Sequence, residues 1–423
     1  MGRLWHTLRL EAQEMTETTG NRHSIPFSPP DITEREIAAV AEAMRSGWIT
    51  TGPRTKRFEA QLKDFMQAQG VAAFASATHA TENCLRGLGI GPGDEVIVPA
   101  YTYTASASVI CHVGATPVMV DILPDTYELD YNAVERAITP HTKAVIPVDL
   151  GGVMCDYDRL YDVLERKRGL WRPATGIQSC FDRVIVVADA AHACGATYHG
   201  RPAGSVADFT SFSFHAVKNL TTAEGGALAW RDNGFDSDEF YHQMMLWSLH
   251  GQDKDALSKT KAGAWEYDVV FPGYKSNMTD IMAAIGLVQL DRYPDLLARR
   301  RALVARYERN LADAPVQLVR HYTDRGNSSG HLMLTRIDGA APAQRNAVID
   351  ALAERGVASN VHYKPLPLLT AYRNLGFKIE DYPNAYAQFA NEVTLPLHTK
   401  LTDEDVDYVC DAYCDAIRQV MGR

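Results

Sequence analysis

The sequence of 423 residues contains no uninterrupted apolar run approaching the ~20 residues that span a bilayer. Its first twenty residues include Arg3, Arg9, Glu11 and Glu14 and no continuous apolar segment, which is unlike a secretory signal. We therefore expect a cytoplasmic protein without a membrane span. Residues 1–24 are interpreted as an N-terminal extension that is either mobile or associated with a dimer interface.

A Cys-x-x-Cys pair is also absent, although the chain contains seven cysteines. An odd number without framework spacing predicts reduced thiols rather than disulfides. Cys410 and Cys414 lie one helical turn apart, but packing on one face of the last helix is favoured over metal binding. His192 and Cys194 alternate along an extended segment, and the sequence offers no second ligand pair. We therefore expect no metal site.

An excess of positive charge is missing too: the formal net charge of −10 argues against a nucleic-acid-binding surface, which would need a basic stripe. An anionic small molecule stays compatible with this charge, because a pocket can be locally positive. With 46% hydrophobic and 22% charged residues, the composition is that of an ordinary globular protein. A chain of this length exceeds a single typical core, so two domains are expected.

Short apolar strands alternate with helical periodicity through the first half of the chain. The predicted strands lie at 71–75, 95–98, 117–121, 144–148 and 184–188. Runs of this kind are buried on both faces, which predicts an α/β fold with a mostly parallel sheet between layers of helices. Residues 166–182 lengthen one connection from helix to strand, and we interpret them as an insertion.

The pattern changes near residue 255, where a polar, lysine-rich segment covers residues 253–263. A long helix is predicted from Thr279 through Arg306, and it bridges into a second unit. That unit has predicted strands at 316–318, 331–335 and 357–361 and predicted helices at 343–354 and 402–420. We predict a large domain over residues 25–255 and a smaller C-terminal α/β domain over residues 256–423, bridging helix included.

Lys218 is the most informative candidate for chemistry. A lone loop lysine is usually a solvated charge, but Lys218 is flanked by apolar residues and followed by Gly225 and Gly226, which allow close backbone approach. Upstream, an apolar strand ends on Asp189. Pyridoxal phosphate requires this combination, since the lysine forms a Schiff base and the carboxylate keeps a proton on the pyridine nitrogen.

Five ordered motifs resemble the DegT/DnrJ/StrS family of nucleotide-sugar aminotransferases. They lie at residues 47–53, 93–99, 188–192, 211–226 and 273–278. The resemblance runs from about Ile25 to the C-terminal helix and implies the fold type I architecture of pyridoxal phosphate enzymes, the aspartate aminotransferase-like fold. Within the family the chain looks most like the enzymes that aminate a UDP-linked 4-keto-pentose.

The resemblance also implies the roles of individual residues around the cofactor. Ala77 and Thr78 open a helix whose free N–H groups would hold the phosphate, where the alternative is a plain N-cap. Ser213 would add a phosphate contact, and His192 would lie beside the ring hydroxyl. Tyr103 would stack on the pyridine ring, where the alternative is a core aromatic residue.

Further positions imply a shared site and a substrate site. Asn277 resembles the residue that reaches the phosphate of the neighbouring subunit, and relatives differ at Lys275 and Asn277, so the division of roles between these two stays open. A homodimer is therefore expected. Lys275, His362 and Tyr363 are tentative substrate residues, and a structural role for His362 is an equal alternative.

The expected function is transfer of an amino group from L-glutamate to a keto-sugar nucleotide, most often a 4-keto sugar, for the synthesis of surface polysaccharides, glycoconjugates or secondary metabolites. The sequence is also to be compared with three alternative functions. A sugar dehydratase or isomerase of this fold would replace the lysine by histidine, and a desulfurase-like enzyme would place histidine, not Val217, before it. A regulatory protein that binds pyridoxal phosphate without turnover is the third.

Overall fold

A computed structural model describes residues 24–174, 176–254 and 266–422. The predicted N-terminal extension, apart from Ser24, lies outside the described residues, as does most of the lysine-rich segment predicted at 253–263.

Helices and strands alternate along the described chain. The α-helices are α1 (Glu34–Arg45), α2 (Pro53–Met66), α3 (Ala77–Gly87), α4 (Ala105–His112), α5 (Tyr131–Ala137), α6 (Tyr157–Arg166), α7 (Ser237–Ser248), α8 (Asp280–Asp291), α9 (Tyr293–Asn310), α10 (Pro342–Glu354), α11 (Thr370–Asn374), α12 (Pro383–Ala390) and α13 (Asp403–Met421). The strands are β1 (Gly70–Phe74), β2 (Glu95–Pro99), β3 (Thr116–Val120), β4 (Thr142–Val145), β5 (Ile185–Asp189), β6 (Thr197–Tyr198), β7 (Arg201–Pro202), β8 (Phe209–Ser213), β9 (Gly226–Trp230), β10 (Val316–Leu318), β11 (Tyr322–Thr323), β12 (Gly326–Asn327), β13 (Met333–Ile337) and β14 (Glu392–Leu395).

The central sheet has seven strands in the order β1-β9-β8-β5-β4-β2-β3. Strand β9 is antiparallel to both of its neighbours, and the other strands run parallel to one another. Every residue of β1 and β9 is buried, in agreement with the continuous apolar runs of the sequence. The parallel strands therefore end at one edge of the sheet, where ligands bind in folds of this kind.

A second apolar core lies around the antiparallel sheet β10-β13-β14 and helices α9, α10 and α13. Its fully buried residues include Leu303, Val348, Val393 and Tyr413. Ile25 belongs to this core, so the start of the described chain packs against its C-terminal part. The predicted division into two domains at residue 255 stays a prediction.

Two predicted elements differ from the structure. The helix predicted from Thr279 through Arg306 is broken at Arg292 into α8 and α9, because Pro294 in the first turn of α9 has no N–H to continue the hydrogen-bond ladder of α8. The strand predicted at 357–361 is reduced to isolated bridges, Val357 with Ile25 and Asn360 with Thr394. This segment pairs in turn with two different neighbours and so forms no continuous ladder.

The predicted insertion at 166–182 lies between α6 and β5 and contains two 3-10 helices, Arg168–Leu170 and Gly176–Cys180. Among the helices formed by described residues, none has the length and apolar character needed to cross a membrane.

Candidate active site

A cavity of about 590 Å³ opens at the edge where the parallel strands of the central sheet end. Residues from distant parts of the sequence meet there. The predicted site residues that line it are Ala77, Thr78, Tyr103, Asp189, His192, Ser213, Lys218, His362 and Tyr363. The fold therefore brings together positions that are separated by up to almost three hundred residues in the sequence.

Lys218 lies in the loop between β8 and β9, where its backbone N–H donates to the carbonyl of His215 at 2.9 Å. Burial lowers the pKa of the Lys218 amine from 10.5 to about 8, against the opposing effect of the Asp189 carboxylate. A substantial fraction of this amine is therefore neutral near physiological pH, as a nucleophile or a general base requires.

Asp189 ends strand β5 and is half-buried. One carboxylate oxygen accepts a hydrogen bond from the Ser106 hydroxyl at 2.7 Å, and the other accepts from the backbone N–H of Ala191 at 3.1 Å. These bonds fix the direction of the carboxylate at the cavity wall. Ser106 was not predicted as a site residue. It lies on α4, four residues after Thr102, in the segment that follows β2 at the same edge of the sheet. This position in the sequence could have indicated it.

The start of α3 also lines the cavity. The Ser76 side chain caps this helix by accepting from the N–H of His79 at 3.2 Å, so the next residues, Ala77 and Thr78, begin the first turn. First-turn N–H groups have no partner within their own helix and favour an anion. Ser213 pairs across the strands with Gly226. A Cβ atom on Gly226 would stand 2.3 Å from the nitrogen of Ala77.

Tyr103 is 59% exposed and lines the cavity. The alternative that it is a core aromatic residue is therefore wrong. Its ring centroid lies 5.8 Å from that of Tyr363. An aromatic ring in this position is free to stack on a planar ligand.

His192 and Tyr363 form a hydrogen-bond chain at the cavity wall. Nδ1 of His192 accepts from the N–H of Gly151 at 3.1 Å, and Nε2 lies 3.1 Å from the Tyr363 hydroxyl. Burial, with the charges of Lys218 and His362, lowers the pKa of His192 well below its usual value, so the ring is neutral. Its proton therefore sits on Nε2 and is donated to Tyr363, which leaves the tyrosine hydroxyl free to donate elsewhere.

His331 also lines the cavity and was not predicted. Its ring centroid lies 4.4 Å from that of His192, and its Nδ1 lies 2.8 Å from the side-chain oxygen of Asn219. Since His331 lies two residues before strand β13 and more than a hundred residues after Asn219, its proximity could not be read from local sequence.

Lys275 and Asn277 lie outside this cavity. The Lys275 amine donates to the side-chain oxygen of Asn277, whose amide donates to the hydroxyl of Thr51. Asn277 is half-buried beside the end of β1, with which it forms an isolated bridge at Phe74. The predicted reach of Asn277 into a neighbouring subunit stays a prediction.

Comparison with known proteins decides the family. The chain matches the DegT/DnrJ/EryC1/StrS aminotransferase family over residues 30–413. The chain belongs to this family. The predictions of the family, of the fold type I architecture and of an aminotransferase are thereby confirmed.

Individual relatives agree with this membership. The spore coat polysaccharide biosynthesis protein SpsC of Bacillus subtilis is 38% identical over 400 residues, which cover 94% of this chain and 98% of that protein. Spr1654 of Streptococcus pneumoniae, named as a sugar aminotransferase, is 57% identical in its PMP form, with a TM-score of 0.92 and coverage of 94% and 100%. PseC of Helicobacter pylori, an aminotransferase of pseudoaminic acid biosynthesis, is 26% identical, with a TM-score of 0.82 and the same coverage.

The cavity of this aminotransferase fits pyridoxal phosphate. The Asp189 carboxylate, the anion-binding start of α3 and Lys218 all line it. A group with a basic ring nitrogen, a carbonyl carbon and a phosphate matches these three features. The cofactor predicted from the sequence agrees with the PLP and PMP forms in which the pneumococcal relative was solved.

Proposed function

We propose that this protein is a pyridoxal phosphate-dependent aminotransferase that moves the amino group of L-glutamate to a keto-sugar nucleotide, with C4 of the sugar as the position aminated. The single observation that carries the proposal is the placement of a half-buried lysine with a lowered pKa and a strand-end carboxylate in one cavity with the start of α3. SpsC and PseC, which serve polysaccharide and pseudoaminic acid biosynthesis, support a sugar as the acceptor.

Each site residue has a defined task in this proposal. When bound, the cofactor supplies an electron sink for the carbon that gains or loses a proton. Asp189, oriented by Ser106, holds a proton on the ring nitrogen. The N–H groups of Ala77 and Thr78 and the Ser213 hydroxyl bind the phosphate. Tyr103 covers one face of the ring and excludes water from it.

Lys218 performs the proton transfers. Its amine has a pKa of about 8, so at neutral pH it can both take a proton from the α-carbon of the amino donor and return one during the same turnover. The Tyr363 hydroxyl, which receives its hydrogen bond from His192, donates into the cavity and orients a substrate oxygen.

The assembly and location follow from the same proposal. We place the enzyme in the cytoplasm, in agreement with seven cysteines that are all free thiols. We also place it in a homodimer in which Asn277, and Lys275 through it, serves the phosphate of the partner subunit.

The test follows both halves of the reaction. Purified protein loaded with pyridoxal phosphate should lose the cofactor's absorbance and release 2-oxoglutarate on addition of L-glutamate. It should regain the absorbance with one member of a panel of UDP-, dTDP- and GDP-linked keto-sugars. The aminated product is identified by its mass. Lys218→Ala should retain the fold and show neither half-reaction. Cofactor binding without bleaching by any amino donor would favour the regulatory alternative, and a deoxygenated product would favour the dehydratase.

A further inference from the structure

His362 is held by two buried side chains of strand β14. Its backbone N–H donates to one carboxylate oxygen of Glu392 at 2.8 Å, and its ring Nδ1 lies 2.9 Å from the hydroxyl of Thr394. The same hydroxyl lies 2.6 Å from the second carboxylate oxygen of Glu392. Glu392 and Thr394 are both fully buried, whereas the His362 ring lines the cavity. A continuous hydrogen-bond chain therefore connects a buried carboxyl group with the active site.

The position of each proton in this chain follows from the charge of Glu392. When Glu392 is ionised, it only accepts, so Thr394 donates to it and must accept the proton on Nδ1 of His362. Nε2 then carries a bare lone pair. When Glu392 is protonated, it donates to Thr394, Thr394 donates to Nδ1, and the proton of the neutral ring sits on Nε2. The two states differ by one proton. Nε2 of His362 can accept a proton when Glu392 is ionised and can donate one when Glu392 is protonated.

We propose that His362, Thr394 and Glu392 form a proton relay that accepts a proton from the ammonium group of the amino donor. Nε2 of His362 takes the proton, the Nδ1 proton passes to the Thr394 oxygen, and the Thr394 proton passes to Glu392. One N–H bond of the ammonium breaks, one O–H bond forms on Glu392, and the ring ends neutral. The donor nitrogen thereby gains the lone pair that it needs to attack a carbonyl-type carbon. His362 is the catalytic residue, and Thr394 and Glu392 are positioning residues.

The electrostatics of the site support a relay over a lone histidine. Burial and the charge of Lys218 lower the pKa of His362 to about 4, so the ring by itself is a weak base at neutral pH. Burial raises the pKa of Glu392 to about 8, against the hydrogen bonds from Thr394 and His362 and the charge of Arg345. A proton that is too costly on His362 is therefore stable on Glu392.

Several other groups face Glu392 from the surrounding elements. Arg345 of α10 donates to the backbone carbonyl of Glu392 at 3.0 Å, and Arg336 of β13 is its partner across the strands. The charge of Glu392 acts on the buried hydroxyls of Tyr101, Tyr127, Tyr363 and Tyr413. The pKa of each of these tyrosines is raised above its usual value, so none of them becomes an anion near pH 8.

The proposal rests on the proposed aminotransferase function, so its test has one arm that does not depend on turnover. In protein labelled with ¹⁵N-histidine and loaded with pyridoxal phosphate, the ring signals of His362 are assigned by comparison with His362→Asn. Between about pH 6 and about pH 10, a range that brackets the pKa near 8, the proton of His362 should move from Nε2 to Nδ1. Glu392→Gln and Thr394→Val should abolish this change, and Thr394→Ser should restore it.

The second arm measures the half-reaction with L-glutamate in a single turnover. Its rate should rise with pH to a plateau above about pH 8, because the relay accepts a proton only when Glu392 is ionised. Thr394→Val should reduce the rate at least tenfold and remove the contribution of Glu392 to this rise, while Lys218, whose pKa is also about 8, still contributes. The matched control is Thr335→Val, which deletes another buried hydroxyl of the same sheet. That hydroxyl is bonded to the Val393 carbonyl and the Tyr413 hydroxyl. The control variant should leave the rate and the pH profile unchanged.

The outcomes separate the two proposals. A His362 ring that keeps one tautomer across the range, or a tautomer change that survives in Thr394→Val, would overturn the relay even in an active aminotransferase. A wild-type protein without any half-reaction would overturn the proposed function, while the ring signals would still decide whether the proton chain exists.

Discussion

Lys218 combines a chemical role with a cost to stability. Its pKa in the folded protein is about 8, against 10.5 in an exposed lysine, because burial disfavours the charged amine. Between these two values the unfolded chain binds more protons than the native chain, so the native state gains stability as the pH rises through this window. Below about pH 8 the full cost is present, and it corresponds to about 3 kcal/mol.

Lys218→Met should therefore stabilise the cofactor-free protein while abolishing activity. We expect a gain of up to about 3 kcal/mol at neutral pH that disappears above about pH 10.5, measured by urea unfolding across the pH range. The control is Lys143→Met, which deletes a buried amine that bonds to the Arg172 carbonyl at 2.5 Å and lies 3.9 Å from Asp94. That variant should be destabilised. An unchanged or lower stability of Lys218→Met would mean that the native site does not penalise the amine.

Local sequence was enough to select Lys218 and Asp189 as candidate site residues, because each is a charged residue that directly follows apolar residues. It was not enough for Ser106, His331, Glu392 or Thr394. These residues acquire a role only through a partner that the fold brings close, as Thr394 does with His362, and a hydroxyl inside an apolar strand otherwise looks like ordinary core.

At the scale of elements, Gly226 holds the start of α3 against the central sheet. It opens β9 between β1 and β8, and its cross-strand partners are Phe74 and Ser213. An added Cβ would meet the Ala77 nitrogen and the Ser76 carbonyl carbon, each at 2.3 Å. Both are backbone atoms, so the helix itself would have to move away from Ser213.

Gly226→Ala should thus weaken cofactor binding at least tenfold, about 1.4 kcal/mol, and lower the Tm, because the N–H groups and the Ser213 hydroxyl no longer converge on the phosphate. Equilibrium titration of the cofactor-free protein with pyridoxal phosphate measures the effect. Gly169→Ala is the matched control, since an added Cβ there meets nothing within 4 Å and the backbone is not left-handed. Equal affinities of the two variants would show that the position of α3 does not determine phosphate binding.

The elements of the central sheet were largely predictable, because strands buried on both faces are continuous apolar runs. The predicted elements were wrong where a single residue or a pairing between distant segments determines the secondary structure. Pro294 interrupts a periodicity that otherwise continues from α8 into α9. In the segment after α10, Val357 pairs with Ile25 and Asn360 pairs with Thr394. Local sequence does not predict such a change of pairing partner.

At the scale of the whole molecule, the cavity is built from both cores. The central sheet contributes Asp189, Ser213 and Lys218, whereas His362 is held by Glu392 and Thr394 of the strand β14 that belongs to the second sheet. A relative movement of the two cores would therefore separate the relay from Lys218.

A dimer would extend this construction to a second chain, and complementation tests it. If Asn277 serves the phosphate of the partner subunit, Lys218 and Asn277 of one site belong to different chains. Mixing inactive Lys218→Ala protein with an inactive Asn277→Ala variant should then form heterodimers in which one site carries both lesions and the other carries neither. Activity should return to about a quarter of the wild-type value per subunit if the exchange is random, by the two-fold symmetry of the dimer. The measurement is turnover after subunit exchange, with heterodimers verified by native mass spectrometry.

The alternative is a purely structural role of Asn277, which lies outside the cavity of its own chain and donates to the hydroxyl of Thr51 in that chain. In that case every site of the mixture would carry a lesion. Verified heterodimers without recovered turnover would establish the structural role.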